Sequence, residues 1–150
     1  MRAYLVVIDE TREAGLALRF AARRAAATGG RVEILAIIAP QEFVQWGGVQ
    51  AAMEEEARLR AEAMVLAASG TIAEEAGIEP KITVRAGDPV KAIGDLIAER
   101  RDIAALVLGA AAEGAPGPLV SHFSDAAATL PCPLVIVPGN LPDSELDRLS

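Results

Sequence analysis

Leu106-Val107-Leu108-Gly109-Ala110-Ala111-Ala112-Glu113-Gly114-Ala115-Pro116-Gly117-Pro118-Leu119-Val120-Ser121 is the stretch on which the fold turns. Its first residues complete a run from Ile103 that is apolar at every position instead of alternating, as a strand covered on both faces must be. Small residues, glycines and prolines follow, so the segment reads as a buried strand passing through a loop into a helix N-terminus. Such a loop has two readings. It either presents backbone N–H groups and a helix dipole to a phosphate, or it is only a strand-to-helix connection that needs small residues for its turns.

Outward from that stretch, Tyr4–Ile8, Val32–Ile38, Lys81–Arg85 and Leu134–Val137 are further short apolar-rich runs, each closed by a turn or cap signal and separated by segments of helical period. A first helix is predicted from an N-cap at Thr11, with Ala14, Ala17, Leu18, Ala21 and Ala25 on one face, to Gly29-Gly30. A second runs from about Val49 to Ala76, turns Met53, Ala57, Met64 and Ala67 inward, and carries Gly70 as a candidate bend. Asp88 caps a third, with Pro89 in its first turn, Val90, Ile93, Leu96 and Ile97 facing the core, and Arg100-Arg101 complementing the C-terminal end of its dipole. The fourth spans Leu119 to Leu130, with Phe123, Ala126 and Ala127 inward, before Pro131 stops it.

This alternation of strand and helix, joined by right-handed crossovers, predicts an α/β domain: an open, doubly wound, five-stranded parallel sheet of order 3-2-1-4-5 with two helices on each face. Strands one and four are then neighbours whose crossovers leave in opposite directions. Their C-terminal ends, Asp9 and Gly109, form the crevice where open α/β sheets usually bind ligands. The domain is assigned to residues 1–138, and 139–150 to a polar tail, unstructured or loosely docked.

Composition narrows the partners. Apolar residues make up 52% of the 150 positions and aromatics only 3%, so the core must be built from Val, Ile, Leu and Ala. A net charge of −7 argues against nucleic acid and anionic membrane, which bind through Lys and Arg. The single Cys132 rules out an intramolecular disulfide, and no apolar stretch is long enough to span a bilayer, so a cytoplasmic protein is predicted.

Side chains for catalysis are scarce. His122 is the only histidine, and it follows Ser121 directly, so helical geometry points the two side chains apart. One His and one Cys cannot build a structural zinc site, and Glu54-Glu55-Glu56 reads as a solvated helix face. Neither a Walker A loop nor GxGxxG follows the first strand. The expectation is a binding or regulatory module without a catalytic residue.

Three stretches, in order and on the predicted elements, resemble the universal stress protein family: Val6-Val7-Ile8-Asp9 with Thr11; Ala86-Gly87-Asp88-Pro89 with Ile93; and Leu106-Val107-Leu108-Gly109 followed by Leu130-Pro131-Cys132-Pro133-Leu134-Val135-Ile136-Val137-Pro138. The resemblance implies an adenine nucleotide alpha hydrolase-like fold and a stress-response role. It places Asp9 on the nucleoside of a bound adenine nucleotide, Ile37 beside the adenine, and Gly109, Gly114 and Ser121 near phosphate. The ligand implied is ATP or AMP, with magnesium only for a triphosphate. Nucleotide-binding members typically carry Gly-x-x-Gly, a spacer, and Gly-Ser or Gly-Thr. Here Gly109 matches the first glycine, but Ala112 and Val120 replace the other two and the spacer is short. Val120 obstructs backbone approach and Glu113 adds repulsion, so weak binding is expected, with the triphosphate affected more than the nucleoside. The alternative is a nucleotide-free dimeric interaction module; ATP hydrolysis ranks third, without a catalytic base or an HxGH-type motif.

The resemblance also implies a homodimer through Leu134–Val137, an apolar run at a sheet edge. The aromatic-bearing segment Phe43-Val44-Gln45-Trp46-Gly47-Gly48 is read either as a lid or partner surface or as packed against the second helix.

Overall fold

Strands β1 (Ala3–Ile8), β2 (Arg31–Ile38), β3 (Lys81–Ala86), β4 (Ile103–Ala110) and β5 (Leu134–Pro138) form one parallel sheet in the order β3-β2-β1-β4-β5. This is the order expected from the sequence. The coordinates are a computed structural model that describes residues 2–38 and 47–150, with backbone alone for 47–50. Phe43, Val44, Gln45 and Trp46 of the aromatic segment lie outside the described residues.

Between the strands run α1 (Arg12–Thr28), α2 (Gly47–Ala76), α3 (Pro89–Glu99) and α4 (Pro118–Asp125), and α5 (Asp143–Leu149) follows β5. One core layer packs α1, α2 and α5 against the sheet through residues such as Leu18, Ile34, Ile72, Val107 and Leu146. The opposite layer packs α3 and α4 through Leu5, Leu35, Ile93, Leu106 and Phe123. Every residue of the central strand β1 is buried, as its apolar run requires. The edge strands β3 and β5 are partly open, with Ile82, Val84 and Ile136 exposed.

Local signals place α1 and α3. The Thr11 hydroxyl accepts from the Ala14 N–H at 3.2 Å, and an Asp88 carboxylate oxygen accepts from the Lys91 N–H at 2.9 Å. In α2, however, Ala67 is exposed and the inward stripe is Ala61, Met64, Val65, Ala68 and Ile72, because one residue's step turns a helix by about 100°. The helix passes Gly70 unbroken. α4 stops at Asp125 and leaves Ala127 exposed in a 3₁₀ turn, Ala127–Thr129.

Two further expectations are corrected. Arg100 does not serve the end of α3: its guanidinium bonds Glu33 and Asp102. Residues 143–149 form a docked helix, so that one sheet face carries three helices. Leu146 is fully buried beside α1, and Arg19 donates to both carboxylate oxygens of Asp147 at 2.9 and 2.7 Å.

Candidate functional site

Parallel register sets Val6 of β1 opposite Val107 of β4, so the two strands end at the same level and their crossovers leave to opposite sheet faces. A cavity of about 390 Å³ opens there, within the size range of small-molecule sites. Its apolar wall includes Val7, Val90, Leu108, Leu119 and Val120, and Asp9, Thr11, Glu13 and Asp88 add polar groups.

Asp9 follows β1 directly. One of its carboxylate oxygens accepts from the Thr11 N–H at 2.8 Å and from the Thr11 hydroxyl at 2.5 Å, a turn that holds the N-cap of α1. The other oxygen accepts nothing among the described residues. Gly109 lines the cavity for a reason of packing. A Cβ there would stand 2.1 Å from the carbonyl oxygen of Glu13, so the first turn of α1 rests on the end of β4 and only glycine permits it.

The loop after β4 is closed by a 3.0 Å hydrogen bond from the Ala111 N–H to the Pro116 carbonyl. Gly117 then takes φ 110° at the N-cap of α4, a backbone conformation suited to glycine, and no side chain caps the helix. Pro118 lacks an N–H. The first free donors of α4 are therefore those of Leu119 and Val120, both beside the cavity.

The predicted site residues are only partly brought together. Asp9 and Gly109 share the cavity with Val120, which is buried in the α3–α4 core layer as well. Ile37 lies outside the lining, one strand beyond β1, half-buried against that layer. Gly114 is on the exposed outer part of the loop. Ser121 is exposed on α4, turned away by the helical step that points Val120 inward. Ala112 and Glu113 are exposed and line nothing here. The carboxylates at the cavity besides Asp9 are instead Glu13 and Asp88, and no Lys, Arg or His among the described residues lines it. Asp88 was legible as a helix cap but not as a cavity residue, because the β3–α3 turn reaches the site only through the fold.

His122 is exposed, with its ring edge-on to Phe123 at 5.0 Å. Burial pushes the Cys132 thiol up from its ordinary value, away from the reactive thiolate. Among the described residues no cluster of His, Cys, Asp and Glu could hold a metal ion, and no helix is long and apolar enough to cross a membrane.

The fold and this cavity define a doubly wound α/β domain with a ligand-sized crevice at its switch point. Within that class, the chain belongs to the universal stress protein family, whose model matches residues 1–138. Universal stress protein UspA from Lactobacillus plantarum superposes with a TM-score of 0.78 at 19% identity, over 91% of this chain and 97% of that one. A universal stress protein in complex with cAMP matches with a TM-score of 0.66 at 18% identity, over 91% and 96% of the two chains. The universal stress protein from Archaeoglobus fulgidus in complex with dAMP matches with a TM-score of 0.65 at 21% identity, over 91% and 97%. At these identities the likeness speaks for the fold alone. No curated protein matches the chain.

Proposed function

We propose that the chain is a regulatory module of its family that binds an adenine ligand weakly in the cavity between β1 and β4. The observation that carries this reading is the coincidence at one switch point of a ligand-sized cavity, an acidic residue with an unengaged carboxylate oxygen, and the uncapped N-terminus of α4. Two similarly folded relatives are described in complex with cAMP and dAMP, which supports adenine as the base. Asp9 serves the nucleoside. Ile37, Gly114 and Ser121 stand outside the lining and take no part. The role is binding: the hydroxyl–carboxylate pair that lines the cavity, Thr11 with Asp9, is spent on capping α1.

Calorimetry with adenosine, AMP and ATP tests the reading. Saturable heat from any of them, lost in Asp9→Ala with the circular dichroism spectrum unchanged, is the expected result. Silence from all three at millimolar concentration would overturn it.

A second reading, a nucleotide-free dimeric interaction module, is favoured by a separate observation. Asp9 and Gly109 each have a complete structural reason, as the brace of α1 and as the seat of Glu13. The same titrations separate the two.

A further inference from the structure

We infer that the cavity is built for the unphosphorylated nucleoside, and that each phosphate added to the ligand weakens its binding. This rests on the proposed adenine-binding role of the site and fixes the charge of its ligand.

Three helix N-termini converge on the cavity, those of α1, α3 and α4, each worth about half a positive charge. Two are already engaged, α1 by Thr11 and α3 by the Asp88 carboxylate. Against these stand Asp9, Glu13 and Asp88, so the lining carries more negative side-chain charge than the partial positive charge of the helix ends. No cationic side chain among the described residues lines the cavity to reverse it. A phosphate seated at the α4 N-terminus would gain the Leu119 and Val120 N–H donors. It would do so facing a net negative wall, with the Val120 side chain in the lining, buried to 5% exposure.

The same wall suits a ribose. Asp9 and Asp88 each commit one carboxylate oxygen to the backbone, at 2.8 and 2.9 Å, and among the described residues nothing donates to the second oxygen of either, which can accept from a hydroxyl. The apolar side built from Val7, Val90, Leu108 and Leu119 offers a surface on which a neutral base can pack.

Titration calorimetry of the full chain with adenosine, AMP and ATP at low and high salt reads the inference. Adenosine should bind about tenfold more tightly than AMP in low salt, and ATP more weakly still. Raising the salt should narrow the gap by strengthening AMP while leaving adenosine unchanged. Glu13→Lys should bring AMP to within about threefold of adenosine. Asp88→Asn, which keeps a capping side chain, should narrow the gap between AMP and adenosine to a smaller degree while weakening adenosine itself, and provides a second variant if Glu13→Lys fails to fold. AMP or ATP binding more tightly than adenosine in the unaltered chain would overturn this inference and leave the adenine-binding reading standing. Absence of binding by all three would overturn both.

Discussion

Glu33 is the one buried charged side chain among the described residues, fully enclosed on β2. Its Oε1 accepts from Arg100 at 3.1 Å and from the Thr83 hydroxyl at 2.9 Å. Arg100 also donates to both oxygens of Asp102 at 2.9 and 2.8 Å, and Arg31 bonds Asp102 as well. Removing the Arg100 guanidinium would leave a carboxylate uncompensated in the core, so Arg100→Met should destabilise the fold by about 3–5 kcal/mol in denaturant titration. The bond from Arg100 holds the Asp102 carboxyl well below the usual carboxylate range. A depressed folded-state pKa stabilises above the unfolded value of about 3.9, and that contribution fades as pH falls below it. Asp102→Asn should therefore lower the denaturation midpoint at pH 7 and flatten its decline below about pH 4, whereas parallel curves for the two proteins would contradict the assignment. At this scale the sequence was legible where a side chain serves its own neighbours, as at Thr11 and Asp88. It was opaque where partners meet across the sheet, and Arg100 looked like a helix-end charge for that reason.

The junction of α1 with β4 is where the glycine of the predicted phosphate loop has another duty. Gly109→Ala would force the backbone of Glu13 and its helix turn away from the strand, and the overpacking should cost about 1–3 kcal/mol in a melting experiment even without ligand. A variant as stable as the parent would mean that the first turn of α1 yields readily. For α5, Leu146→Ala should cost about 2–5 kcal/mol, because a fully buried side chain would be cut back beneath α1. Unchanged stability would mean that the helix docks through its ion pairs alone. Strand runs and capped helices announced themselves by period and punctuation. α5 did not, since its seven residues bury a single leucine and its partners Arg19 and Arg23 stand on a helix far away in sequence. The inward face of α2 was partly misread for a related reason: a helix this rich in alanine gives little contrast between its faces.

For the molecule as a whole, the open question is what meets the two sheet edges. β3 exposes Ile82 and Val84 but flanks them with Lys81 and Arg85, charges that discourage another strand. β5 carries no charge along Leu134–Pro138, and Ile136 is 40% exposed. Its prolines bound the strand at Pro133 and Pro138 and leave the backbone between them able to pair. An isologous β5 to β5 contact is therefore the assembly we propose, placing the same edge of both copies across a two-fold axis. Sedimentation at tens of micromolar should give twice the 15.6 kDa chain mass. Val135 is a poor place to test the contact by substitution, because it packs against the core layer under α1 and a charge there would disturb the fold itself. Ile136→Lys is cleaner. It should yield a 15.6 kDa species with an unchanged circular dichroism spectrum, while Ile82→Lys on the opposite edge should leave the dimer intact. A parent chain that sediments as a monomer would refute the assembly, and a dimer broken by Ile82→Lys but not by Ile136→Lys would move it to β3.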